Sequence, residues 1–220
     1  MCYDTEEYSY IQVIKNMPKQ MKYDKILDAL QSLLVTKELS TISVSEIAQT
    51  AGIGKGSIYY YFPSKEAILE ALVKRSYEAP LDTAKHLAEQ TDISPFTRMA
   101  MIFQACRNSS SAFLKTEVGT GAAAQEKAFL HQKYMHHLIS ELKPVLAEII
   151  RQGTQTNVIH CEHPEALAEI VLIILTVKLD NTLVPSSKEE IEDTICGLIS
   201  LLEKGTENPK GSLNFLMAEL

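Results

Sequence analysis

Lys55, Gly56, Tyr59, Tyr60 and Lys65 lie within a single short stretch of this chain. Their chemistry is recognition rather than bond breaking. A lysine offers a point charge to a phosphate, and a tyrosine offers a hydroxyl donor together with a flat apolar ring that suits a thymine methyl. A glycine lets a partner come close to the backbone. If residues 55–62 are helical, 100° per residue puts Lys55, Gly56, Tyr59 and Tyr60 on one side and Ile58, Tyr61 and Phe62 on another. The competing reading is structural: three adjacent tyrosines as aromatic packing and a solvated lysine.

The elements around this stretch decide between the two readings. Ser43 and Glu46 have the S-x-x-E spacing of a capping box. Val44, Ile47, Ala48 and Ala51 then follow at i, i+3, i+4 and i+7, the apolar face of a short helix. Gly52 stands where a helix ends in the left-handed conformation, Ile53 plugs the turn and Gly54 keeps it small. The second helix carries the lysine and the tyrosines, and Ser64 caps a further one. A helix, a glycine-bearing turn and a helix form a helix-turn-helix, which places its second helix in a DNA groove. In front of it, Ile26, Leu27, Leu30, Leu33 and Leu34 stripe a supporting helix from about residue 22 to 36. Lys65 lies in the first turn of its own helix, where a cation is poorly placed for the dipole but well placed for a phosphate.

The stretch IAQTAGIGKGSIYYYFPSKEAIL closely resembles the DNA-binding domain of the TetR family of bacterial transcriptional regulators, over roughly residues 22–75. The resemblance implies DNA contacts from Lys55, Gly56, Ser57, Tyr59, Tyr60, Tyr61 and Lys65, with phosphate contacts from Ser43 and Ser45. Tyr61 replaces a histidine common in the family; it donates a hydrogen bond but carries no charge. Glu38 replaces a glycine between the first two helices. A non-glycine residue in a left-handed turn costs on the order of 1 kcal/mol, so another shape is expected there.

Bulk properties fit. The 220 residues carry a net charge of −7, which looks wrong for a DNA binder. Yet residues 15–75 hold nine Lys and Arg against six Asp and Glu, so the positive excess sits with the motif. Cys2, Cys106, Cys161 and Cys196 lack CxxC spacing, and a reducing cytoplasm is the expected compartment. The N-terminus shows no signal-peptide pattern. The apolar run near 170–177 is too short to span a membrane.

Beyond residue 75 the pattern stays helical. Helices are expected from Ser64 to about Glu78 or past Pro80, and over about 94–114, 123–155, 164–183 and 188–204. Asn157 is read as a left-handed stop, Pro164 as a first-turn residue and Gly205 as the closing residue of the last helix. The expected class is all-α: an N-terminal arm (1–18), read as disordered or loosely docked and given no function, a three-helix head with the helix-turn-helix (19–66) and a larger helical domain (67–220). The resemblance gives that domain a ligand pocket and a homodimer interface built from its last two long helices. The surplus apolar residues of 164–183 and 188–204 fit an interface, although burial within one subunit explains them equally. Ligand candidates are Phe103, Arg107, His131 and Tyr134, with Asn108 beside them. A histidine on an apolar stripe, such as His131, is more often bonded to a backbone carbonyl. His136 and His137 are expected to face solvent. His160, Cys161 and His163 lack a fourth ligand and regular spacing, so no metal site is assigned.

No G-x-S-x-G, H-E-x-x-H, P-loop or dinucleotide fingerprint occurs, and Ser109, Ser110 and Ser111 have no base placed beside them. Neither enzyme activity nor a cofactor is expected. The expected function is a dimeric regulator, a repressor, released from a palindromic DNA operator by a small-molecule effector. The alternative is a DNA-binding regulator controlled by a protein partner.

Overall fold

A computed structural model describes residues 5–116, 124–180 and 185–219, all of whose regular elements are helices. Side chains are described from residue 19, with further gaps at 110–127, 130–131, 179–184 and 218–220. The long helices are α1 (Thr5–Leu34), α2 (Val44–Thr50), α3 (Lys55–Tyr61), α4 (Lys65–Glu89), α5 (Pro95–Thr116), α6 (Ala124–Gln155), α7 (Pro164–Asp180) and α8 (Lys188–Gly205). Short 3-10 segments lie at Leu39–Thr41 and Asn214–Glu219. The chain divides into two compact units, residues 1–73 with 114–127, and residues 74–113 with 128–220.

In the first unit, Ile26, Leu27, Leu30 and Leu34 of α1 are buried with Ile47 and Ala48 of α2, Ile58 of α3 and Ile68, Leu69 and Leu72 of α4. The α1 stripe read from the sequence is therefore its buried face. The helix itself begins much earlier, at Thr5, so residues 5–18 of the expected arm are helical. Glu38 is extended (φ −73°, ψ 141°), and its carbonyl accepts from the Thr41 N–H and hydroxyl at 3.0 and 2.8 Å. The expected change of shape is thus a 3-10 turn without left-handed strain.

In the second unit the buried stripe of α6 is Tyr134, Leu138, Leu142, Leu146 and Ile149, as its spacing predicts. Pro80 lies inside α4 and does not end it. Asn157 is left-handed (φ 57°), and the Val158 N–H returns to the Gly153 carbonyl at 2.9 Å, closing α6 as expected. Gly205 does not play that part for α8. It stays helical, Thr206 is the cap, and Glu207 takes the left-handed position (φ 52°) while Asn208 N–H reaches the Glu203 carbonyl at 2.8 Å. His137 is half-buried rather than solvent-facing, its ring stacked on Tyr77 at 6.1 Å.

Two features of this unit were not anticipated. Arg98 is 2 % exposed and donates to the Ala88 carbonyl at 3.2 Å and to Gln152 Oε1 at 2.7 Å. A guanidinium at the last carbonyls of α4 satisfies acceptors that the helix cannot, and it suits the dipole there. Its position four residues before the buried Ile102 was the available signal. The second feature is the C-terminal segment, where Leu213 and Leu216 are buried and the 3-10 turn packs on α8.

Candidate nucleic-acid interface and apolar cavity

Local chemistry fixes the helix-turn-helix. The Ser43 hydroxyl accepts from the Glu46 N–H, and the Glu46 carboxylate accepts from the Ser43 N–H, both at 3.2 Å. This closed capping box starts α2. Glu46 also pairs with Lys37, and that ammonium, with the Ser43 N–H, holds the carboxyl below its usual range. Gly52 is left-handed (φ 67°), and the Ile53 N–H returns to the Ala48 carbonyl at 3.0 Å. The turn then enters α3 through an extended Gly54.

Ile58 is the buried residue of α3, and Phe62, just after it, is buried against Tyr23 of α1 with centroids 4.8 Å apart. These two contacts orient the opposite face outward. Tyr60 is 71 % and Tyr59 51 % exposed, and Lys55 and Gly56 are exposed beside them. Ser57 is half-buried, as is Tyr61, whose ring meets Tyr60 edge-on at 5.1 Å. Apart from its chain neighbours and its own helix backbone, no atom of the described residues lies within 4 Å of where a Cβ on Gly56 would stand, so no packing contact among them requires glycine there. Ser43 and Ser45 are exposed at the start of α2. Lys19 of α1 reaches over the Tyr60 ring, its Nζ 5.5 Å from the centroid. Sequence reading had assigned Lys19 no role, because the contact depends on how α1 packs.

Lys65 is placed differently. Its ammonium is half-buried and donates to the carbonyls of Leu39 at 2.7 Å and Ile42 at 2.9 Å. This explains a cation in the first turn of α4, the unfavourable end of the dipole. The charge is committed to the carbonyls that lead into α2.

The ligand candidates separate. Phe103 lines a cavity with Met99 of α5, Leu146 of α6, Val171 of α7 and Leu202 of α8. The space open to the centre of a water-sized sphere is about 50 Å³. Tyr134 and Arg107 are not among its walls. Tyr134 is fully buried; its hydroxyl donates to Ser109 Oγ at 3.2 Å, and Ser109 donates to the Ser76 carbonyl at 2.6 Å. Burial pushes the Tyr134 phenol up to about 12. Arg107 is half-buried, Asn108 is exposed, and the His131 side chain lies outside the described residues. His160 and His163 are exposed, and among the described residues no cluster of three or more His, Cys, Asp or Glu is arranged to hold a metal. No described helix is long and apolar enough to cross a membrane.

A capped helix-turn-helix presenting lysine and phenols, joined to a larger helical unit, defines a class of DNA-binding regulators. The family model "Bacterial regulatory proteins, tetR family" matches residues 26–72, and "Tetracyclin repressor-like, C-terminal domain" matches residues 115–200. The chain belongs to the TetR family. It is 39 % identical over 71 residues to the uncharacterised HTH-type transcriptional regulator YvdT of Bacillus subtilis, covering 31 % of this chain and 37 % of that protein. It is 30 % identical over 125 residues to the HTH-type transcriptional regulator EthR of Mycobacterium tuberculosis, covering 55 % of this chain and 58 % of that one. The chain thus spans less than two thirds of the curated relatives it matches. Among solved structures, SmeT, the repressor of the Stenotrophomonas maltophilia efflux pump SmeDEF, superposes with a TM-score of 0.60 at 12 % identity, covering 86 % of this chain and 92 % of SmeT. FadR of Bacillus subtilis, in complex with stearoyl-CoA, gives 0.53 at 20 % identity, covering 90 % and 99 %. RolR in complex with resorcinol gives 0.57 at 14 % identity, covering 92 % and 95 %.

Proposed function

We propose that this protein is a homodimeric transcriptional repressor that binds a palindromic double-stranded DNA operator and is released from it by a small-molecule effector. The observation that carries the DNA half is the outward face of α3, where Lys55, Tyr59 and Tyr60 are exposed beside an open Gly56. In this reading Lys55, Ser43 and Ser45 serve phosphates, while Tyr59, Tyr60, Tyr61 and Ser57 face base edges or backbone. Lys19 adds charge at Tyr60. Lys65 acts as a positioning residue that holds the approach to α2.

The dimer reading is supported by α7 and α8, which leave Ile170 50 %, Ile173 45 % and Leu201 72 % exposed. Large apolar side chains left exposed on two helices fit an interface between copies. Two heads so paired would read half-sites in successive major grooves, about 34–36 Å apart. The effector reading is supported by the apolar cavity, and by structural neighbours that hold resorcinol and stearoyl-CoA. Those two ligands differ so much that they support the layout and not a particular molecule. Release follows if the effector prefers the form whose heads are wrongly spaced.

The test is selection of bound sequences from random duplex DNA with the full chain, at two salt concentrations. A two-fold symmetric consensus is expected, with affinity falling steeply as salt rises. Recovery of no consensus at either salt overturns operator recognition.

A further inference from the structure

Part of the wall of the cavity in the larger unit is supplied by the segment that follows α8. After α8 the backbone turns back through the left-handed Glu207 and then Gly211 (φ 92°). Glu203 of α8, only 7 % exposed, takes hold of the returning segment: its Oε1 accepts from the Gly211 N–H at 2.7 Å and the Leu213 N–H at 3.2 Å. A carboxylate that accepts two backbone N–H groups with so little solvent is a specific latch, since such hydrogen bonds to a charged group are the strong ones. Beyond the latch, Leu213, Phe215 and Leu216 form part of the cavity wall, and the Phe215 ring stacks on Phe103 with centroids 6.3 Å apart.

The walls carry no charged side chain. Their polar members, Thr206 and Asn208, satisfy each other: Asn208 Nδ2 donates to Thr206 Oγ1 at 2.6 Å, and that hydroxyl donates to the Leu202 carbonyl at 2.6 Å. An ion entering here would lose its hydration and gain no partner. The open space, about 50 Å³, is also small, because dry cavities that take up benzene are on the order of 150 Å³. Phe215 and Leu216 stand in its wall, so lifting them would enlarge it.

We propose that residues 211–217 are a built-in lid on this cavity, latched by Glu203, and that the molecule it admits is a small, uncharged, apolar one that enters by lifting Phe215 and Leu216. The assignment of that molecule as the effector rests on the ligand-responsive reading above; the lid itself does not.

The experiment uses the full chain with toluene as the apolar probe and benzoate as a charged probe of similar size. Lys210 is exposed immediately before the latched Gly211, so trypsin cleavage after Lys210, followed by mass spectrometry, reads lid opening. Toluene is expected to speed that cleavage at least tenfold, and Glu203→Ala to do so without any probe. Phe215→Ala is expected to bind toluene at least tenfold more tightly than the parent, and benzoate to act on neither protein. Cleavage that toluene slows or leaves unchanged overturns the lid, and this measurement needs no variant. Equal binding of toluene and benzoate overturns the apolar class. Lid opening with unchanged operator affinity keeps the lid and overturns the ligand-responsive reading instead.

Discussion

Replacing Lys65 with methionine keeps the length of the side chain and removes its charge, which separates the carbonyl clamp of the structure from the phosphate contact that the family resemblance implies. The ammonium donates to two carbonyls, at 2.7 Å to Leu39 and 2.9 Å to Ile42. The Leu39 oxygen keeps a second donor, the Ile42 N–H at 3.2 Å, so its loss is softened. A hydrogen bond from a charged group contributes about 1.5–3 kcal/mol. Against this, removing a cation from the first turn of α4 returns roughly 0.3–1 kcal/mol. The net cost to the head is about 2 kcal/mol. Because the chain forms two units, a single global unfolding midpoint would blur the effect. Amide hydrogen exchange of the full chain, read on peptides from residues 26–72, isolates it. An opening free energy lower by about 2 kcal/mol means roughly 30-fold faster exchange. The salt dependence of DNA binding by Lys65→Met should keep its slope. Unchanged exchange together with a slope smaller by about 0.9 would refute the clamp and return Lys65 to a phosphate.

Lys55→Ala should reduce the salt slope of DNA binding by about 0.9, whereas Lys37→Ala, whose charge is already paired with Glu46, should not; equal changes would break the distinction. Gly56→Ala should stabilise the free head by about 0.5–1 kcal/mol, since alanine favours a helix and the site is open, while weakening operator binding; a gain in both would mean that no DNA backbone approaches there. The Tyr134 phenol ionises near 10 in the unfolded chain but near 12 when folded, so its contribution is intact below pH 10 and is lost as pH rises from about 10 to 12. The loss is about 3 kcal/mol in all, and urea unfolding of Tyr134→Phe should lack it; parallel alkaline curves for the two proteins would refute the burial argument. Leu201→Glu should convert a dimer to a monomer in sedimentation while leaving the folded subunit within about 0.5 kcal/mol of the parent, because that side chain is 72 % exposed. A dimer that persists would place the interface elsewhere.

The head was legible because its signals are local. A capping box, a left-handed glycine and a 3.6-residue apolar period each act over a few residues, and the structure reproduces them at Ser43, Gly52 and Ile58. The same holds for the α6 stripe and its stop at Asn157. What escaped depends on distant partners. Lys65 looks like a surface cation until the carbonyls of Leu39 and Ile42 are brought to it, and Lys19 looks idle until α1 carries it over Tyr60. The C-terminal segment has no long periodic pattern, because it is a short 3-10 turn held by one buried carboxylate. Tyr134 shows the limit of a stripe as a guide to a pocket. Periodicity placed it correctly on the buried face, but a buried face is core unless neighbouring side chains leave a gap, and here Ser109 occupies the hydroxyl.

Helix α4 meets in each unit a cation that serves backbone carbonyls, and the two differ in their relation to the helix dipole. In the head, Lys65 stands at the N-terminal end of α4, where the dipole opposes it, so the two carbonyls it reaches must offset that repulsion. In the larger unit, Arg98 meets the Ala88 carbonyl in the last turn, where dipole and hydrogen bond act together, and Gln152 supports it while also donating to Ala88 at 3.2 Å. Between the anchors Pro80 removes one backbone hydrogen bond from the helix interior. The same kind of group thus meets the helix at both ends, against the dipole at Lys65 and with it at Arg98.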